Sequence, residues 1–70
     1  MTIGERIKEA RLNAGITQRE LAEKLGVSFV NISQWENGTR KPKYETRQKI
    51  ADALGVTVDY LLGRTNQPNV

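Results

Sequence analysis

The sequence predicts an all-α fold, a compact domain of five helices. The chain has 70 residues, enough for one small hydrophobic core. Apolar residues recur every three or four positions, the spacing of an amphipathic helix, and we find no strand pattern. A glycine follows each amphipathic stretch, as is common just past a helix end. These glycines are Gly15, Gly26, Gly38, Gly55 and Gly63.

The first helix is predicted from about Ile3 to Ala14. Four of its residues share one helical face, which we expect to be buried: Ile3, Ile7, Ala10 and Ala14. Arg11 lies beside that face, four residues after Ile7.

The second helix is predicted from Gln18 to Leu25. Thr17 is suited to cap its first turn, and Glu20 completes a capping box of the form Thr-x-x-Glu. The apolar positions that should face the core are Leu21, Ala22 and Leu25.

The third helix is predicted from Phe29 to Asn37, with Ser28 as its cap. At about 100° per residue, Ile32 and Trp35 share one side and should enter the core. The opposite side holds a mixed set, namely Val30, Ser33, Gln34 and Asn37, and Phe29 lies at the rim between the two sides. An apolar residue on the outer side needs an explanation.

The fourth helix is predicted from Tyr44 to Leu54, after Pro42, and Thr57 caps a short fifth helix that ends near Leu62. Inward positions in the fourth helix are Ile50, Ala51 and Leu54. The last residues have a turn-forming composition without periodicity. We therefore predict a domain over residues 1–62 and a flexible tail over residues 63–70.

Composition excludes several functions. The sequence has no cysteine and no histidine, so it lacks thiolate metal ligands and the commonest general base. We expect no enzymatic activity, no metal, no cofactor and no small-molecule ligand. No apolar run approaches about 18 residues and the first residues are regularly charged, so neither a membrane span nor a signal peptide is expected. A cytoplasmic location follows as the expectation.

The net charge of +3 is unevenly distributed. Residues 1–36 contain five basic and five acidic side chains, whereas residues 37–49 contain five basic and one acidic, a balance of +4. Residues 50–70 have a balance of −1. A basic cluster is most often a solvated surface, so its position beside the third helix matters more than its charge.

The stretch from Gly15 to Pro42, GITQRELAEKLGVSFVNISQWENGTRKP, resembles the phage Cro/repressor type of helix-turn-helix domain. This is the XRE-like family of bacterial and phage transcriptional regulators. The resemblance lies in Gln18, Leu21, Ala22, Gly26, Val27, Ile32, Trp35, Glu36, Asn37, Gly38 and Pro42, and continues in KIADALGVTVDYLL. It implies a lambda-repressor-like fold in a bacterial or phage-encoded protein.

The same resemblance implies a sequence-specific regulator of double-stranded DNA, a repressor in the leading interpretation. The third helix, about residues 29–37, would enter the major groove of a palindromic operator. The expected base-reading residues are Phe29, Val30, Ser33 and Gln34. Val30 could contact a thymine methyl group, and Gln34 could bond the edge of an adenine. For Phe29, packing over the second helix remains an equal alternative.

Phosphate contacts are expected around both helix starts and in the basic loop. Gln18 lies in the first turn of the second helix, where free backbone N–H groups favour an anion. The full set is Thr17, Gln18, Ser28, Asn31, Asn37, Arg40, Lys41 and Lys43. The alternative for Arg40, Lys41 and Lys43 is that each is an ordinary solvated surface residue without a DNA contact.

The resemblance also implies an ion pair between Arg11 and Glu36, which would tie the first helix to the end of the third. The alternative is that both side chains reach water separately. It further implies a two-fold homodimer, whose surface would lie around Val56, Val58, Tyr60 and Leu61. Some of these residues must also close the core, so the exposed area is small and we expect weak dimerisation in solution, strengthened by DNA.

A protein-interaction module, such as an antitoxin-like partner-binding domain, is the second interpretation. A free tail or an apolar patch would be its sign. The tail after Gly63 is short and polar, which favours DNA binding instead. The roles of Arg47, on the inner stripe of the fourth helix, and of Leu12, opposite the buried face of the first, stay open.

Overall fold

The computed structural model describes residues 1–69 of the chain. Over this range it contains five α-helices and no strand, which confirms the predicted all-α class. The helices are α1 (Ile3–Asn13), α2 (Gln18–Leu25), α3 (Phe29–Asn37), α4 (Tyr44–Leu54) and α5 (Val58–Leu61). None of the helices in the described residues is long and apolar enough to cross a bilayer.

Capping boxes start the first two helices. The Thr17 side chain accepts a hydrogen bond from the Glu20 N–H at 3.0 Å, and the Thr17 N–H donates to the Glu20 carboxylate at 2.9 Å. That carboxylate acts as acceptor in its charged form, so the backbone bond from Thr17 lowers the pKa of Glu20. Thr2 and Glu5 form the same arrangement at the start of α1, which the sequence analysis did not predict.

Two other predicted caps differ in outcome. Thr57 caps α5, since its hydroxyl accepts a hydrogen bond from the Tyr60 N–H at 3.0 Å. Ser28 occupies the cap position of α3, but its side chain makes no capping hydrogen bond. Its hydroxyl lies on an exposed residue and remains available to another acceptor or donor.

The core takes one large, fully buried aliphatic residue from each helix. These residues are Ile7, Leu21, Ile32, Ile50 and Leu61. Complete burial of one such side chain stabilises the fold by about 1.5–3 kcal/mol. The five helices therefore depend on one another for a common core.

Four predicted core positions are not fully buried, and two of them, Ile3 and Leu25, pack partly buried against the core. Ala14 is exposed because α1 ends at Asn13, so the chain leaves the helical path before the predicted face is completed. Trp35 is only partly buried and packs against the edge of the core.

Gly4 brings α1 into direct contact with the backbone of α3. A Cβ atom at this position would lie 2.6 Å from the Glu36 carbonyl oxygen and closer still to that of Trp35. Both distances are shorter than carbon and oxygen tolerate. A side chain at position 4 would therefore push apart the two helices that flank the candidate site.

The segment after α5 folds back onto the domain. The Pro68 carbonyl accepts a hydrogen bond from the Thr57 N–H at 2.9 Å, and the Asn66 side chain accepts one from Arg6 at 2.9 Å. The Arg6 guanidinium also lies 4.5 Å from the centroid of the Tyr60 ring. These contacts were not predicted, and the flexibility of the tail stays a prediction. Val70, its last residue, lies outside the described residues.

Candidate nucleic-acid interface

Two helices joined by a tight turn form the centre of the candidate site. Gly26 ends α2 in the left-handed conformation, with φ +70°, which glycine adopts without steric cost. The next residue, Val27, donates its N–H to the Ala22 carbonyl at 3.0 Å. This closing bond is typical of a Schellman-type helix end and sends the chain directly into α3.

The outer side of α3 carries the four predicted base-reading residues. Val30 is 48% exposed and Phe29 39% exposed, while Ser33 and Gln34 are partly exposed. None of the four side chains takes part in a hydrogen bond within residues 1–69. The polar groups of Ser33 and Gln34 are therefore available to a molecule outside the chain.

The inner side of α3 is fixed by a buried carboxylate. Arg11 Nε lies 2.6 Å from Glu36 Oε2, a second guanidinium nitrogen lies 3.2 Å from Oε1, and both residues are less than 10% exposed. The third nitrogen donates to the Ile16 carbonyl at 2.9 Å. The structure thus forms the predicted pair and satisfies all three guanidinium nitrogens.

Gln18 joins the same carboxylate from the start of α2. Its Nε2 donates to Glu36 Oε1 at 3.0 Å, so α1, α2 and α3 meet at Glu36. Gln18 was predicted at the phosphate face, but this bond was not predicted, because it depends on how closely α2 and α3 approach. One amide hydrogen is used internally, and the other amide groups stay free to face outward.

Arg19 lies over the ring of Phe29. Its guanidinium carbon is 4.3 Å from the ring centroid, a cation–π contact between α2 and α3. Phe29 therefore both packs over the second helix and stays partly exposed at the rim. Arg19 had no predicted role, because no local sequence pattern relates it to a residue ten positions later.

The loop after α3 presents its cations to solvent. Arg40, Lys41 and Lys43 are exposed, whereas Pro42 between them is buried and anchors the loop. The Arg47 Nε donates to the Pro42 carbonyl at 3.2 Å, which gives this half-buried arginine a structural contact.

The two asparagines predicted to contact phosphate differ in availability. The Asn37 side-chain oxygen accepts hydrogen bonds from the N–H and the hydroxyl of Thr39, at 2.8 and 2.5 Å. Its amide nitrogen remains free to donate. Asn31 is half-buried, and Thr17 and Ser28 are exposed at the two helix starts.

The predicted dimer surface needs correction. Tyr60 is only 4% exposed and Leu61 is fully buried, because both close the core beneath α5. Val56 and Val58 are half-buried against the core and keep some accessible surface. A dimer interface around α5 can therefore include Val56 and Val58. It cannot include the side chains of Tyr60 and Leu61 while these remain buried.

No group of three or more acidic, histidine or cysteine side chains in the described part of the chain could hold a metal ion. The arrangement is instead one of exposed amide, hydroxyl, apolar and cationic groups on two adjoining helices and a loop.

This fold and this pairing of α2 with α3 define the chain as a helix-turn-helix domain. A family model described as helix-turn-helix matches residues 7–61. The chain belongs to this XRE-type helix-turn-helix family.

Curated relatives include the HTH-type transcriptional regulator ImmR of Bacillus subtilis. It is 45% identical over 64 residues, which cover 91% of this chain and 50% of ImmR. The chain spans about half the length of the curated relatives it matches.

Solved structures extend the similarity to three dimensions. The P22 c2 repressor in complex with a synthetic operator has a TM-score of 0.84 and 40% identity, covering 89% of this chain and 94% of that one. The SinR protein in its complex with SinI has a TM-score of 0.81 and 37% identity, covering 87% of this chain and 60% of that one.

Proposed function

We propose that this chain is the DNA-binding domain of a sequence-specific transcriptional repressor, which places α3 in the major groove of double-stranded DNA. The observation that supports this most directly is the outer side of α3, where the apolar Val30 is exposed and the side chains of Ser33 and Gln34 have no hydrogen-bond partner among residues 1–69. The names of the relatives point the same way, and the similar P22 c2 structure contains a synthetic operator.

Base recognition is assigned to the outer side of α3. The side chain of Val30 matches the thymine methyl group, which is the apolar feature of the major groove. Gln34 can both donate and accept at the N6 and N7 edge of adenine, and the Ser33 hydroxyl can do either. An exposed valine on the outer side of a helix is thereby explained.

Phosphate contacts are assigned to the groups that surround α3. The first turn of α2 offers backbone N–H groups and the outward part of Gln18, and the Thr17 and Ser28 hydroxyls lie at the two helix starts. The exposed loop cations, Arg40 and its neighbours Lys41 and Lys43, follow on the other side. Asn31 and the free amide of Asn37 complete the set. Such contacts set affinity and its dependence on salt.

Binding as a two-fold dimer on a palindrome forms part of the proposal, with half-sites about 34 Å apart. Because Tyr60 and Leu61 are buried, the apolar surface left around Val56 and Val58 is small. Dimerisation should therefore be weak in solution and stronger on DNA. Sedimentation should show mostly monomer at low micromolar concentration, and a tight dimer there would contradict this point.

Binding of a protein partner is the second candidate. Leu12 favours it, because this large apolar side chain is 58% exposed on α1. The similar SinR structure is a complex with another protein, SinI. This candidate predicts that Leu12→Ala weakens capture of a partner while DNA binding is unchanged.

Selection from a random pool of duplex DNA tests the leading proposal. We expect a palindromic consensus, and we expect Val30→Ala and Gln34→Ala each to relax one position of it, at a cost of about 1–3 kcal/mol for the preferred base pair. Gln48→Ala, which removes an exposed glutamine from α4, serves as the matched control. Recovery of no consensus, with only salt-sensitive binding, would overturn sequence-specific recognition.

A further inference from the structure

We propose that Arg19, held in place by the ring of Phe29, is a further base-reading residue that selects a guanine in the operator. This inference rests on the proposed function, since it concerns the same face of the domain.

The geometry presents Arg19 as an unoccupied donor positioned over an aromatic ring. Its guanidinium carbon lies 4.3 Å from the Phe29 ring centroid, and Arg19 itself is an exposed residue. No hydrogen bond or ion pair within the described range engages the guanidinium. The cation–π contact uses none of the guanidinium N–H groups as hydrogen-bond donors to oxygen, so they remain available to an acceptor.

Acidic neighbours do not occupy this arginine. Glu20 is committed to the capping box with Thr17. Glu23 lies four residues after Arg19 on α2, but it forms no ion pair with Arg19. The guanidinium instead turns towards α3.

The position of the pair indicates what it would contact. Phe29 is the first residue of α3, and the first residues of a recognition helix contact base edges. A guanidinium stacked on that ring therefore lies at the entrance to the major groove. Arginine bonded to guanine O6 and N7 is the commonest specific contact there.

Phe29 explains how the contact would become selective. The phenyl ring has no donor or acceptor of its own, so it cannot form a base-edge hydrogen bond. It can, however, restrict the flexible Arg19 side chain before DNA arrives, which reduces the rotamer entropy lost on binding. Phe29 is thus a positioning residue, and Arg19 makes the contact.

The experiment compares operators selected by the wild type, Arg19→Ala, Arg19→Lys and Phe29→Leu. We expect the wild-type consensus to contain a guanine whose preference falls by about 5- to 150-fold in Arg19→Ala. Phe29→Leu should weaken the preference at the same position. Arg19→Lys should keep the dependence on salt but lose most of this preference, because lysine lacks the planar fork.

Lys24→Ala is the matched control, since it removes an exposed cation from the same helix. It should leave the consensus unchanged. Uniformly weaker binding of all sequences by Arg19→Ala, with a salt slope lowered by about one unit, would identify a phosphate contact and overturn the inference. The inference would also be overturned if Arg19→Ala, Arg19→Lys and Phe29→Leu all selected the same consensus as the wild type. Absence of any wild-type consensus would overturn the proposed function itself.

Discussion

The guanidinium of Arg11 and the carboxylate of Glu36 form a buried two-point ion pair, with Nε 2.6 Å from Oε2 and a second nitrogen 3.2 Å from Oε1. The pair joins the last turn of α1 to the last turn of α3. Because Gln18 donates to the same carboxylate, the start of α2 is held as well. A single acidic side chain thus fixes the three helices that surround the candidate site.

Arg11→Ala should destabilise the fold by about 3–5 kcal/mol, because it leaves the Glu36 carboxylate buried without its cation. For a domain of this size each kcal/mol corresponds to about 4–8 °C in Tm. Thermal unfolding followed by circular dichroism measures the effect. Arg64→Ala is the control, since Arg64 pairs with Asp59 at 3.4 Å on the exposed surface, and it should cost less than about 1 kcal/mol. Equal losses for the two variants would contradict the prediction.

Gly4→Ala should destabilise the fold by about 1–3 kcal/mol or more, although alanine is the better helix former by about 1 kcal/mol. The reason is the approach of the Glu36 carbonyl, 2.6 Å from where the new Cβ would lie. Urea unfolding measures the change. Lys8→Ala, at an exposed position of the same helix, should be nearly neutral. A Gly4→Ala variant as stable as the wild type would show that α1 and α3 can separate without cost.

Glu20→Gln should reduce the loss of stability in acid. The capping bonds from Thr17 lower the pKa of Glu20 in the folded state, so its contribution is present above the unfolded pKa and is lost as pH falls through the folded value. Glutamine can accept the same hydrogen bond but does not titrate. Tm measured from pH 7 downward should therefore fall less steeply below about pH 4.5. Glu23→Gln, on the same helix, is the control. If Tm falls equally steeply with decreasing pH in both variants, the contribution of ionised Glu20 to the capping box is refuted.

Lys41→Ala should weaken binding to all DNA sequences to a similar degree and reduce the slope of log K against log salt by about 0.9. Lys41 is exposed in the loop that follows α3 and lies next to the buried Pro42. Fluorescence anisotropy at several salt concentrations measures the slope. Lys24→Ala removes the same charge at the far end of α2 and should leave the slope unchanged. A change in base preference without a change in the salt slope would indicate that Lys41 contacts the bases, and it would contradict the predicted phosphate contact.

Local features of this fold were predictable from the sequence. The bounds of α2, α3 and α4 follow from apolar spacing, from Thr17 and from the glycines, all of which act within a few residues. The pairing of Arg11 with Glu36 was predicted only through the family resemblance, since 25 positions separate them.

Features that depend on how helices approach each other were missed. The Arg19 contact with Phe29 and the Gln18 bond to Glu36 both cross between α2 and α3. The burial of Tyr60 and Leu61 depends on how α5 closes the core, which periodicity in a helix of four residues does not show. Spacing along one helix carries no information about the depth at which its neighbour packs.

The outer side of α3 has a consequence for how such a protein can diversify. Phe29, Val30, Ser33 and Gln34 contribute little to the shared core and form no internal hydrogen bonds in the described residues. Replacing them changes what the surface can contact while Ile32 and Glu36 still hold the helix in place. Under the proposed function, target choice and folding are separable traits in this scaffold. New operator preferences would then be obtained by replacing these residues, with little change in thermal tolerance.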